Sequence, residues 1–290
     1  MFQGESSVKR WAEAARGWIP PVGWTRVLTV DAHTAGEPLR VIVSGFPALE
    51  GSTILARRRD AQARHDAGRT ALMWEPRGHA DMYGCVLVPP VSPGADFGVL
   101  FTHNEGYSTM CGHGIIAVAT VAVELGWVPD RGQDTPVGID TPAGFVQATA
   151  RREAGRVTSV SFVNVPSFVA ARDLEVHVPG VGQVRYDVAA GEPVHPEEPD
   201  LGFLYGTIFV GPPADAGAHS RNVCVFADGE VDRSPTGTGV SARLALHHAR
   251  GDVVEGEPIR IESILGTSFM GRVVGTTSVG PRPATPRPAS

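Results

Sequence analysis

Hydrophobic positions in this chain come in short runs separated by polar turns, and their spacing changes along its length. Val27LeuThrVal opens a strand that runs into the glycine-containing stretch Asp31AlaHisThrAlaGlyGluPro. Ahead of it, residues 8–15 carry a short helical pattern within a mixed N-terminal segment. Residues 56–70 are rich in Arg, Ala, Asp and His with no Gly or Pro before Gly68, which predicts an exposed helix with solvated charges. From Gly280 the chain carries four prolines within residues 281–289. Such a tail cannot bury apolar surface, so disorder or polyproline II is expected there.

Two stretches repeat each other. MetTyrGlyCysValLeuVal (82–88) returns as LeuTyrGlyThrIlePheVal (204–210), 122 residues later, and both run into ProPro. Residues 99–126 match 224–251 without a gap at an offset of 125, aligning Phe101 with Phe226 and Glu105 with Glu230. ProValGlyIleAspThr (136–141) then answers ProIleArgIleGluSer (258–263), again at 122. Compositional bias would not keep strand, loop, helix and strand in order, so the pattern predicts two similar α/β halves.

Composition narrows the chemistry. Glycine and proline make 59 of the 290 residues and charged residues only 19%, which favours short strands and turns over a helical bundle. A net charge of −6 gives no footprint for nucleic acid or an anionic membrane. No apolar run approaches the roughly 20 residues a bilayer needs. The only lysine is Lys9, which leaves none placed for pyridoxal phosphate or a Walker loop. Cys85, Cys111 and Cys224 share no CxxC spacing, so reduced thiols in a cytoplasmic protein are expected, with Cys85 and Cys224 as core residues.

In each half a polar loop leads into a glycine turn and then a helix: Cys111GlyHisGly in the first, Thr236GlyThrGly in the second. A helix N-terminus offers free N–H groups and a positive end, suited to a carboxylate. The same field favours a thiolate, making Cys111 the best candidate for a reactive group. Paired loops of this kind can place one group on either face of a small flat substrate. Cys111 can move a proton, whereas the aliphatic hydroxyl of Thr236 can only orient or hydrogen-bond. Removal of a proton without return from the far face implies elimination where the neighbouring carbon carries a leaving group. A nucleophilic Cys111 assisted by His103 or His113 is the competing chemistry. Asp31, His33 and Glu37 suit either a cleft or a simple turn.

MetCysGlyHisGly with AspArgSerProThrGlyThrGly downstream resembles the proline racemase family. AspAlaHisThrAlaGlyGluPro (31–38), GluProArgGlyHis (75–79), AspMetTyrGly (81–84) and HisAsnGluGlyTyr (103–107) extend the resemblance over most of residues 28 to about 272. It implies an α+β, diaminopimelate epimerase-like fold of two pseudo-symmetric domains with the active site in the cleft between them. The divisions expected are 1–27 (extension), 28–178 (first half), 179–277 (shortened second half) and 278–290 (tail). Racemases and epimerases carry cysteine where this chain has Thr236, and the threonine form resembles the trans-3-hydroxy-L-proline dehydratases of the family. The resemblance implies Cys111 as proton acceptor facing Thr236, with Gly112, His113, Gly237 and Thr238 on the substrate carboxylate and ring and Asp232 on the ring nitrogen. It implies no cofactor or metal, a small imino-acid substrate, and a homodimer as the possible assembly. Racemase or epimerase activity is one alternative; an inactive shortened isoform is the other, because a block that the family carries after residues 184–191 and its closing strands after about Val274 are absent.

Overall fold

The computed structural model describes residues 3–190 and 205–277. The expectations for the missing block after 191 and for the 278–290 tail lie outside these residues. Helix α1 (Gln3–Gly17) bears out the N-terminal helical pattern. A curled sheet follows, built from β1 (Leu28–Thr34), β2 (Glu37–Ser44), β3 (Tyr83–Val88), β4 (Phe97–His103), β5 (Tyr107–Ser108), β6 (Asp134–Thr141), β7 (Gly144–Glu153) and β8 (Arg156–Phe162). Its order is β1-β2-β3-β4-β6-β7-β8, with β5 on β4. The hairpin joining β1 to β2 turns on Ala35 and Gly36, both at positive φ, and this brings Glu37 back opposite Thr34.

Helix α4 (Gly112–Glu124) is apolar on nearly every side because the sheet wraps it: Ile115, Val118, Ala119 and Ala122 lose all solvent contact. Neighbouring residues of each central strand point to opposite faces. Val41, Cys85 and Phe101 face α4, while Ile42, Val86 and Leu100 face α2 (Ile54–Arg64) and α3 (Asp66–Met73). Helix on both faces explains why these strands read as continuous apolar runs rather than alternating ones.

Residues 56–70 are therefore not one solvated helix. The chain breaks at His65, and two of its arginines are buried. Arg58 donates to the Tyr107 carbonyl, and Arg69 to the His103 and Asn104 carbonyls. The chain from β4 to β5 has backbone acceptors that these side chains reach, with the Trp74 indole also donating to the Asn104 carbonyl, and satisfying them outweighs solvating the guanidinium groups.

The second half repeats the first. Strands β11 (Gly206–Gly211), β12 (Ser220–Phe226), β14 (Pro258–Glu262) and β15 (Ser268–Arg272) pair in that order, β13 (Glu230–Asp232) lies on β12, and helix α5 (Gly237–Arg250) follows β13. β11–β12 is antiparallel and β12–β14 parallel, as β3–β4 and β4–β6 are. Even a fine detail recurs: Asp140 accepts from the Val91 and Ser92 amides, and Glu262 from those of Ala214 and Asp215.

The gap-free alignment of 99–126 with 224–251 needs correction within its strands. Cys85 pairs with Phe101, whereas its counterpart in the repeat, Thr207, pairs with Val225, so Phe101 does not correspond to Phe226. Glu105 is exposed where Glu230 is buried. The offset grows from 122 at the TyrGly strands to 125 at the helices, so the second half carries three more residues between them. The expected division at 178 falls at the turn of a hairpin. β9 (Phe168–Val178) and β10 (Gly182–Ala190) form one hairpin packed on α5, with Arg172 donating to the Ala249 carbonyl and Arg250 paired to Asp173 and Asp187. A boundary at 178 cuts through the turn of this hairpin, both strands of which belong with the second half. Among the described residues no helix is long and apolar enough to cross a membrane.

Candidate active site

Two helix N-termini meet between the halves. Cys111 is the N-cap of α4, in extended conformation, with its Sγ accepting from the Gly114 amide at 3.3 Å in the place usually taken by a Ser or Asp oxygen. Thr236 is the N-cap of α5 at φ 63°, ψ 90°, a backbone that a β-branched residue rarely adopts. Its amide donates to Ser234 Oγ at 3.1 Å, and Asn222 holds the preceding carbonyl, that of Pro235. Strain at such a position persists only where the surroundings impose it. The Thr236 hydroxyl caps no amide, and among the described residues it is buried without a hydrogen-bond partner. Gly112 and Gly237, the first residues of the two helices, lie backbone against backbone. The Thr238 amide stands beside Gly112 in the same contact.

The surroundings of Cys111 are polar on one side and aromatic on the other. Nδ1 of His113 lies 3.2 Å from Sγ, and the His113 ring packs edge-on to Tyr83. The Tyr83 hydroxyl, itself bonded to Ser108, lies 3.1 Å from the Tyr205 hydroxyl. Tyr205 stacks on Phe226, and His103 meets both edge-on. Asp232 is buried at the end of β13 and accepts from the Ser234 amide at 2.8 Å. Glu37, fully buried, accepts from the Arg233 amide at 2.8 Å, and the Arg233 guanidinium stands 3.5 Å away.

Burial decides the charges here. It pushes the Cys111 thiol well above its ordinary value; the Gly114 amide and the Tyr83 hydroxyl pull it down, while the Asp232 and Glu37 charges push it further up. The expectation of a thiol held ionised by the helix N-terminus is thus corrected: the amide acts as expected, and desolvation outweighs it. Burial also lowers His113, so its imidazole is neutral at pH 7. Glu37 is pushed up to about 8 by burial and by Asp232, against the pull of Arg233.

The residues named from sequence converge: Cys111, Gly112 and His113 arrive on α4, and Asp232, Thr236, Gly237 and Thr238 come from the other half. His113 contributes its ring as well as its backbone. Asp31 and His33 stay on the surface, Asp31 paired to Arg40, and of that trio only Glu37 enters the site. Sequence reasoning missed Tyr83, Ser108 and Tyr205. The signal for the tyrosines lay in the repeated TyrGly at 83 and 205, whose hydroxyl groups meet across the halves. Cys85 and Cys224 are core residues, with burial pushing Cys224 up to about 12.

Residues 29–193 and 190–287 match the sequence profile described as proline racemase. A protein of Burkholderia cenocepacia named trans-3-hydroxy-L-proline dehydratase is 46% identical, the match covering 88% of each chain. One of Burkholderia multivorans named 3-hydroxyproline 2-epimerase is 45% identical with the same coverage. The crystal structure of a hydroxyproline epimerase from Agrobacterium vitis, with bound trans-4-hydroxy-L-proline, superposes with a TM-score of 0.82 at 28% identity, covering 88% of this chain and 86% of that one. The matched profile, the level of identity and the paired helix-cap site agree, and the chain belongs to the proline racemase family.

Proposed function

We propose that this chain is a hydro-lyase that removes water from trans-3-hydroxy-L-proline, giving Δ1-pyrroline-2-carboxylate without a cofactor. The observation that carries this reading is the asymmetry of the two helix caps: a thiol at 111 and an aliphatic hydroxyl at 236, on helices whose first glycines touch. The relatives named as dehydratases support the substrate.

The substrate carboxylate sits on the amides at the two helix N-termini, Gly112–His113 on one side and Gly237–Thr238 on the other, where two positive helix ends stabilise negative charge as it develops. Asp232 takes the protonated ring nitrogen. The resting thiol is neutral, and the neutral His113 imidazole 3.2 Å away can accept its proton. The charge of Asp232 favours the resulting imidazolium. The Cys111 thiolate then abstracts the C2 hydrogen, the 3-hydroxyl leaves as water, and the enamine tautomerises. Thr236, on the opposite face, has no proton to give at pH 7, so the C2 centre is not inverted. All three cysteines are free, which fits a reducing, cytoplasmic setting.

Incubation of the purified chain with trans-3-hydroxy-L-proline should yield the pyrroline, and Cys111→Ser should reduce the yield about 10²-fold or more. A folded wild-type protein that releases no pyrroline, or a serine variant with wild-type turnover, would reject the assignment. The relative named as an epimerase favours a second reading, inversion at C2; chiral analysis of recovered substrate separates the two.

A further inference from the structure

Losing water requires a proton at C3 as well as a base at C2, because hydroxide is a poor leaving group. In trans-3-hydroxy-L-proline the hydroxyl is trans to the carboxylate, so it lies on the same face of the ring as the C2 hydrogen. A base that reaches that hydrogen therefore shares its side with the leaving group. Thr236, on the opposite face, is in the wrong place to help.

Three hydroxyl groups meet beside Cys111. Tyr83 comes from β3, Ser108 from β5, three residues before Cys111, and Tyr205 from the other half. Tyr83 bonds Ser108, Ser108 lies 3.0 Å from the Tyr205 hydroxyl, and the two phenols are 3.1 Å apart, closing a triangle. Each hydroxyl can donate and accept at once, so a proton can enter at one corner and leave at another with no net charge left behind. The Tyr83 ring packs edge-on to His113, whose Nδ1 lies 3.2 Å from the Cys111 sulfur; both phenols feel the charge on Cys111, and the Tyr83 hydroxyl favours its ionised form. Burial keeps both phenols protonated, as donors must be.

We infer that the Tyr83, Ser108 and Tyr205 hydroxyls form a relay that carries the proton from Cys111 to the departing 3-hydroxyl group, an inference that rests on the dehydratase reading. The atoms balance within the site. The C2–H bond breaks and an S–H bond forms; the released electron pair becomes the C2–C3 double bond as the C3–O bond breaks. The leaving oxygen takes a proton from the relay, and the Cys111 thiol refills the relay, which restores the thiolate. The proton removed from C2 thus leaves in the water.

The test is to follow pyrroline formation and deuterium incorporation at C2 of recovered substrate together, in D2O, for wild type, Ser108→Ala and Tyr205→Phe. Tyr205→Phe keeps the ring stacked on Phe226, so one variant retains the packing. The expected result is a loss of pyrroline formation of about 10²-fold in both variants, with C2 exchange continuing, so that the ratio of exchange to elimination rises by a similar factor. A hydroxyl that merely holds Cys111 in place would lower both processes together. Parallel loss in variants that melt like wild type, or undiminished pyrroline formation, would overturn the relay while leaving an active wild type as a dehydratase. A wild type inert in both assays would overturn the dehydratase reading and the relay with it.

Discussion

Gly112 and Gly237 touch backbone to backbone: a Cβ on the first would lie 2.5 Å from the Cα of the second, and one on the second 2.6 Å from the Cα of the first. Neither glycine has positive φ, so only space forbids a side chain here. The obstacle on each side is main chain, which cannot rotate away. Gly237→Ala should therefore push the two helix ends apart, and a displacement of about 1 Å at a reacting centre costs about 10²-fold in rate. Alanine stabilises a helix relative to glycine, so a variant with wild-type turnover and a raised melting temperature would show that the contact is not needed.

Arg69 reaches from α3 to the carbonyls of His103 and Asn104 and is paired with Asp66. Those carbonyls belong to the loop that leads through β5 to Cys111. Arg69→Met keeps the bulk and removes the guanidinium from both carbonyls; Asn104 keeps the Trp74 indole as donor, and the loss at His103 costs about 1–3 kcal/mol. The melting temperature should fall, and KM should rise as the loop loosens. Arg64, exposed near the end of α2, is the control: Arg64→Ala should leave the melt where it was. Equal effects from the two substitutions would refute the anchoring role.

The contrast between these arginines shows where sequence stops being informative. Both sit in a stretch whose local pattern is polar, and nothing within 56–70 reveals that the carbonyls Arg69 reaches lie more than 30 residues away. What was legible rests on local chemistry: glycine turns before apolar helices, β-branched runs, and a repeat whose strands and helices recur in one order. The cap residues Cys111 and Thr236 were found because their motifs carry their own geometry. The strand register failed because the offset changes between the TyrGly strands and the helices, and an alignment without gaps cannot place insertions. The ionisation of Cys111 failed for another reason. A helix N-terminus is visible in sequence, but the desolvation that outweighs it depends on both halves closing over the sulfur.

Glu37 gives the site a pH signature. Its carboxyl is raised from an ordinary 4.5 to about 8, so between those values the unfolded chain ionises while the folded one holds the proton. Its contribution to stability is fully present below about pH 4.5 and is lost as pH climbs to about 8. Glu37→Gln keeps an acceptor for the Arg233 amide and does not titrate. The melting temperature of the variant relative to wild type should rise steadily across that window and level off above it. Melts at a series of pH values check this, and a difference that stays flat would mean Glu37 is ionised in the folded protein throughout.

Thr236→Cys restores a thiol to the second helix cap. Cysteine lacks the β-branch that makes threonine costly at φ 63°, so the substitution should not lower the melting temperature. With thiols on both caps, the carbanion formed when Cys111 removes the C2 hydrogen can be reprotonated from the far face before the hydroxyl departs. The variant should release the C2 epimer of trans-3-hydroxy-L-proline beside a reduced yield of pyrroline, resolved by chiral chromatography, while the wild-type chain releases pyrroline alone. Solvent deuterium should appear at C2 of that epimer in D2O, since the proton arrives from a different group than the one that took it. A variant that still dehydrates but gives no epimer would mean that position 236 does not face the ring from across Cys111, and the account of why threonine makes this a one-way site would have to be abandoned.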